Sequence, residues 1–436
     1  MQSSDGRSKV DPYASLRIPS VSLYLGGNFI ASTGYLLKDA AISWDVFNRT
    51  ESYKALGFVG LLQAAPVIAL PLVTGHVADR FPRKMIMHVS LLLLALSAVL
   101  LAIDSLWIQS TVLLYSTLAF HGVVRAFQQP ARQSLLPQIA TPETFLNATT
   151  WGTGAFHLAQ VLGPIAAGFI LSWMGSAWLA YAIYAVLALT FFIILFWVKP
   201  RPTERSTQAI TFQHVTGGLR FVFSNKVLLT AMSIDLFAVL LGGATGLLPA
   251  FQKDILKVDE IWYGVLRAAP AMGAVLVSIF IAHRPPFERA GRALLLGVIG
   301  YALSTIVFGL SNTLWITLVA LFFSGACDIV SVVIRHTMIQ TLTPDHMRGR
   351  VSAINGMFIG ASNYLGDAEA GYVASWARHW TGDPIFGAQI AVASGGLGSL
   401  AVAVIAAVYS PQLRTFGRIG LVKTDDIPPD SNNGSK

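Results

Sequence analysis

The chain has 436 residues, of which 54% are hydrophobic and only 12% charged, and its mean hydropathy is +0.60. A soluble domain carries roughly 25% charged residues, so this chain cannot cover a water-facing surface in the usual way. The net charge of +8 is scattered over short segments between apolar runs rather than gathered on one soluble domain, which argues against nucleic acid as a partner.

Residues 1–19 are polar and carry Arg7, Lys9 and Arg17. They lead into an apolar run without a small-residue cleavage site, so no removable signal peptide is expected. Many apolar runs then reach the ~20 residues that cross a bilayer as helix. In the first half they fall at about 20–46, 55–78, 85–104, 106–129, 147–172 and 177–198. In the second they fall at about 227–251, 261–282, 291–310, 313–340, 350–374 and 385–410. The short alternating segments of a membrane β-barrel are absent. The predicted fold is an all-α membrane protein of about twelve transmembrane helices. Its expected parts are an N-terminal segment (1–19), a six-helix bundle (20–198), a polar linker (199–226), a second six-helix bundle (227–410) and a polar tail (411–436).

Lys and Arg in short loops stay on the cytoplasmic side. Arg80, Arg83, Lys84, Arg132, Lys199, Arg201, Arg220, Arg284, Arg289, Arg348, Arg350 and Arg414 all fall on one side when the spans alternate. Both termini, the linker and the tail are therefore expected to be cytoplasmic. The single cysteine, Cys327, excludes an internal disulfide framework. Trp107, Trp173, Trp262 and Trp315 lie near predicted span ends, where interfacial anchoring is the ordinary role.

The two halves echo each other. Residues 60–66 read Gly-Leu-Leu-Gln-Ala-Ala-Pro, and residues 264–270 read Gly-Val-Leu-Arg-Ala-Ala-Pro. A second echo pairs Arg132 and Thr141-Pro142-Glu143 with Arg335 and Thr343-Pro344-Asp345. A repeated six-span unit implies two pseudo-symmetric bundles.

Gly75-His76-Val77-Ala78-Asp79-Arg80-Phe81-Pro82-Arg83-Lys84 is a cluster of charge in a chain that otherwise avoids charge. It resembles the loop signature of the major facilitator superfamily, G-x-L-a-D-r-x-G-r-K. Gly75, Asp79, Arg80, Arg83 and Lys84 match, while Val77 and Pro82 depart from it. The stretch Arg125 to Pro137, Met347-Arg348-Gly349-Arg350-Val351-Ser352 and Asp235-Leu236-Phe237 resemble a bacterial branch that includes the enterobactin exporters. Leu162-Gly163-Pro164-Ile165-Ala166-Ala167-Gly168 is similar to the antiporter motif of the superfamily, with Ala159 and Ala167 at two of its glycine positions. Physically, small residues let helices approach closely and Pro164 bends the helix.

The resemblance implies a fold of two bundles with a substrate site between them, exposed to one side at a time. It also implies a conformational gate at Gly75, Asp79, Arg80, Arg83, Lys84 and Arg125, the last matching the arginine of a span-four motif. Export from the bacterial inner membrane follows from the branch and from the motif at Gly163, Pro164 and Gly168.

Ionisable residues inside a span are costly and are functional candidates by default. Asp39, Asp235, Asp328, Asp367 and Glu369 are the candidates for proton coupling or substrate contact, with Asp328 and Asp235 preferred as carriers. A carboxylate held in a span could take a proton from one side and release it on the other. Asp328 is the repeat partner of Arg125, and the two either latch the bundles together or pair within their own bundles. Asp39, beside Lys38, has either a rim or a substrate role. His121 and His157 read as packing residues.

No G-x-x-x-x-G-K-[ST] loop, H-E-x-x-H or paired C-x-x-C appears, so no ATP, metal or other cofactor is expected. No appended soluble domain is large enough for an enzyme. The expectation is a secondary active transporter that exports a small organic molecule (a siderophore, a drug or an amphipathic metabolite), with the proton as coupling ion. The bilayer is its medium, and a monomer would suffice. An importer or facilitator of the same fold, a lipid flippase and a non-transporting scaffold are the alternatives.

Overall fold

The computed structural model describes residues 11–201, 212–284, 287–414 and 416–417. Parts of the expected N-terminal segment, linker and tail lie outside them. Among the described residues the chain is helical throughout, without a strand. Contacts gather the chain into two units. Of the described residues, one holds those before the linker together with Lys257–Ala268, and the other holds those from Phe212 to Leu256 and from Ala269 onward.

The first unit contains α1 (Pro19–Thr50), α2 (Tyr53–Ala69), α3 (Pro71–Arg80), α4 (Arg83–Ile103), α5 (Thr111–Ile139), α6 (Pro142–Met174) and α7 (Trp178–Trp197). The second predicted span is thus two helices, divided at Leu70 just before Pro71. Proline disfavours helix at the residue before it and has no N–H to continue the ladder. Helix starts are chemically marked. Ser52, Ser110 and Thr141 accept from the backbone three residues on, and Thr141 with Thr144 completes a capping box.

The second unit contains α8 (Phe212–Ser224), α9 (Lys226–Gly242), the short α10 (Leu248–Ala250), the latter part of α11 (Glu260–Ala282), α12 (Ala290–Leu310), α13 (Leu314–Leu342), α14 (Asp345–Thr381) and α15 (Pro384–Tyr409). The polar linker therefore carries a helix that the sequence reading did not anticipate. Leu219, Phe221 and Val222 of α8 pack on Leu228, Met232, Val351 and Ile354.

The pairing of helices repeats between the units. In the first, α1 lies on α6 and α7, and α4 lies on α5 and α7. In the second, α9 lies on α14 and α15, and α12 lies on α13 and α15. Each unit thus builds its own core by the same scheme, as the sequence echoes imply.

Among the described residues, eight segments, Arg83–Ile108 and Pro142–Met174 among them, are long and apolar enough to cross a membrane. Among the rest, α1, α5 and α14 have the length but carry charge. Lys38, Asp39 and Asp45 lie in α1, Arg125 and Arg132 in α5, and Asp367 and Glu369 in α14. Large apolar side chains stand exposed on many helices, among them Trp173 at 78%, Leu296 at 67% and Phe280 at 58%. That distribution suits a lipid solvent, where apolar surface needs no cover.

Candidate functional site

In the second unit the chemistry lies where α9 meets α13. Asp235 of α9 forms an ion pair with Arg335 of α13, and both side chains are almost fully buried. Two turns before Arg335, and so on the same face of α13, is Asp328. It makes no hydrogen bond and no ion pair among the described residues. Its carboxylate lines a cavity of about 150 Å³ shared with Tyr301, Thr305, Ser324 and Asn363. The two preferred carboxylates therefore differ in kind. Asp235 already has a counter-charge, whereas Asp328 faces open room with hydroxyl and amide groups around it.

The remaining second-unit candidates sit on α14. Asp367 Oδ1 accepts from the backbone N–H of Gly246 at 2.8 Å and from Thr245 Oγ1 at 3.4 Å, which holds the chain where α9 has ended. Glu369 is half-buried, and its Oε2 is enclosed without a hydrogen-bond partner.

In the first unit Asp39 of α1 pairs with Arg267, which lies in the part of α11 that groups with this unit. The N···O distance is 2.8 Å, with the side chains 13% and 19% exposed. The hydroxyl of Tyr263 donates to the Ala40 carbonyl at 2.7 Å one turn earlier. Lys38, the neighbour of Asp39, points elsewhere, as a 100° turn per residue requires. Its Nζ lies 3.3 Å from His121 Nε2 and 4.6 Å from the centre of the Tyr35 ring. The guanidinium of Arg125 lies over the same ring, with Cζ 3.7 Å from its centre. Arg125 thus belongs to an aromatic and cationic cluster inside the first unit.

The cationic stretch is more helical than a loop. Gly75 and Arg80 are in α3, and only Phe81 and Pro82 separate it from α4, which begins at Arg83. Arg80 is exposed and Arg83 half-buried. Lys84 donates to the carbonyls of Phe196 at 3.0 Å and Val198 at 2.8 Å, which satisfies the open end of α7. The side chain of Asp79 lies outside the described residues.

The antiporter-like motif on α6 marks two close approaches. A methyl group on Gly163 would meet Leu36 Cβ at 2.7 Å and the Thr33 carbonyl oxygen at 2.9 Å, both on α1. One on Gly168 would meet the Glu260 carbonyl oxygen at 2.7 Å and Gly264 Cα at 2.9 Å. Pro164, between them, places its carbonyl oxygen just 2.5 Å from where a Gly264 methyl would lie. The small residues are what let α6 fit against both neighbours.

Sequence reasoning missed the partners. Arg267 and Arg335 entered it only as parts of the repeat, yet each holds a candidate carboxylate. Their signal was a cation inside an apolar run, which is as costly as the anion it neutralises. The network of Arg49 with Asp45 at 2.8 Å and Asp104 at 2.6 Å was also missed, with Tyr181 donating to Asp45 at 2.9 Å.

Comparison with known proteins agrees with this architecture. The enterobactin exporter EntS of Escherichia coli O1:K1 / APEC is 23% identical over 390 residues, covering 89% of this chain and 91% of the relative. The same exporter from Shigella boydii serotype 18 is also 23% identical over the same shares. Among solved structures, the crystal structure of a D-xylose-proton symporter superposes with TM-score 0.69 at 15% identity, covering 92% of this chain and all of that one. A bacterial homologue of the human lysosomal transporter Spinster, inward-facing and occupied, gives 0.68 at 15%, covering 93% and 98%. These structures share the fold. The sequence profile of the transmembrane secretion effectors (MFS_3) matches residues 10–417. The chain is therefore a member of the transmembrane secretion effector family, a multi-pass transporter of the major facilitator superfamily and not an enzyme.

Proposed function

We propose that this chain exports a small organic molecule, such as a siderophore, a drug or an amphipathic metabolite, in exchange for protons. It works by alternating access in a bacterial inner membrane, as a monomer with both termini in the cytoplasm. The observation that carries the coupling is Asp328, a carboxylate in a membrane helix that lines a cavity and has no ion-pair partner among the described residues. An acid placed so can exchange its proton with water or be neutralised by cargo, and either event changes the charge of the cavity. Asp235 is the poorer carrier because Arg335 keeps it paired. The gate is proposed at Gly75, Asp79, Arg80, Arg83, Lys84 and Arg125, and the direction of transport is supported by the exporter relatives.

The reading is tested with inverted membrane vesicles and a fluorescent amphipathic dye. Uptake into the vesicle lumen that an uncoupler abolishes is the expected result. Uptake that the uncoupler leaves unchanged would favour facilitation, and no movement of any cargo by folded protein would remove the transport reading itself.

A further inference from the structure

The cavity at Asp328 is built from two regular helix faces. Tyr301, Thr305 and Phe308 follow one another at spacings of four and three on α12, and Leu321, Ser324 and Asp328 at three and four on α13. These are the spacings that put side chains on one helical face. The two faces line one space of about 150 Å³, closed further by Gly242 at the end of α9, by Thr245 and by Asn363 of α14. That is far more than the ~10–15 Å³ that one water needs, so the space admits a polar head together with the carbons next to it.

The polar side chains of this wall have spent their donors on the protein. The Thr305 hydroxyl donates to the Tyr301 carbonyl at 3.0 Å, and the Ser324 hydroxyl to the Leu321 carbonyl at 2.7 Å. Thr245 Oγ1 donates to Asp367 Oδ1 at 3.4 Å. A hydroxyl has one proton, so each of the three keeps only lone pairs for a ligand. The Asn363 amide nitrogen donates to the Ile359 carbonyl at 2.8 Å, which leaves its own carbonyl oxygen and one N–H. Thr305 and Ser324 are buried, while Thr245 and Asn363 are exposed and mark the open end.

Charge on the wall has one sign. Asp328 supplies two further acceptor oxygens, and among the described residues no lysine, arginine or histidine lines the cavity. Arg335, on the same helix, is held by Asp235. The last carbonyls of α9 lie at the end that carries the negative pole of a helix, and Gly242 brings that end to the wall. The Tyr301 and Phe308 rings line the same space, and aromatic rings attract cations. A wall rich in acceptors and free of cations suits a ligand rich in donors and positively charged. A carboxylate in a membrane helix is costly without a counter-charge, and such a ligand supplies one.

We propose that this cavity recognises the primary ammonium head of an amphipathic cargo, with Asp328 as counter-charge and the Thr305 and Ser324 hydroxyls as acceptors. When the ammonium meets the protonated acid, the Asp328 O–H bond breaks. The electron pair stays on the carboxylate, the proton leaves to water, and the ammonium takes its place, charge for charge. The proposal deepens the export reading and rests on it.

The test is equilibrium dialysis of monodansylcadaverine, a fluorescent amphipathic primary amine, against the purified full-length protein in detergent at neutral pH. Its N-acetyl derivative, which is neutral at that end, is the control. The amine should bind about ten-fold tighter than the amide, the share of one charge-assisted contact. Asp328→Asn should erase that preference while leaving amide binding. Ser324→Ala, which alters little besides one hydroxyl, should reduce it several-fold, so a folding defect in the aspartate variant does not hide the answer. Equal binding of amine and amide by the wild type, or a preference that survives both substitutions, would overturn the assignment. Uptake of both probes into inverted vesicles separates the two ideas. Transport of amine and amide alike sinks the head-group assignment alone, and no transport of any cargo by folded protein sinks the export reading beneath it.

Discussion

Arg335 pairs with Asp235 across the contact of α13 with α9, and Asp328, two turns away on α13, lines a cavity without an ion-pair partner among the described residues. Asp235 thus belongs to a buried pair between two helices, and Asp328 is the acid proposed above to change its protonation state.

Breaking the pair from one side should therefore harm the fold more than the cycle. Arg335→Met leaves a carboxylate buried and uncompensated, at a cost of about 3–5 kcal/mol. A lowered thermal midpoint in detergent is the expected result. Asp235→Asn combined with Arg335→Gln removes both charges and should recover most of the loss.

Asp39 and Arg267 should couple. The pair ties α1 to the start of α11, a helix that continues past Pro270 into the second unit. In a double-mutant cycle with Asp39→Asn and Arg267→Gln, the effects on transport and on stability are expected to be non-additive by about 0.5–3 kcal/mol. Simple additivity would show that the contact carries no energy of its own.

Glycines of α6 should sort by their surroundings. Gly168→Ala forces a methyl group against backbone at 2.7 Å, and overpacking of this kind costs about 1–3 kcal/mol. Gly154, on the same helix, has nothing within 4 Å of the added carbon. Gly154→Ala is expected to be neutral or stabilising, because alanine favours helix by about 0.8–1.0 kcal/mol over glycine. Midpoints measured side by side check the contrast.

Much of this fold was legible before the structure, because the bilayer demands long apolar helices and the chain supplies them. The charged α1, α5 and α14 were still recognisable as spans, since their charges interrupt runs that are otherwise apolar. The helix Phe212–Ser224 was not read. Its thirteen residues lie in a polar stretch, and what fixes it is the packing of Leu219, Phe221 and Val222 on α9 and α14. Candidate acids could be picked out singly, but their partners could not. Asp235 and Arg335 are on different helices 100 residues apart, and periodicity within a helix says nothing of contacts between helices.

Coupling is tested most directly by proton release from acidified inverted vesicles as cargo is added, with wild type beside Asp328→Asn and Asp328→Glu. Cargo-dependent release by the wild type is expected, absent from Asp328→Asn and partly retained by Asp328→Glu. Asparagine keeps the shape but cannot carry a proton, so full release by Asp328→Asn would contradict the assignment of Asp328 as the coupling acid.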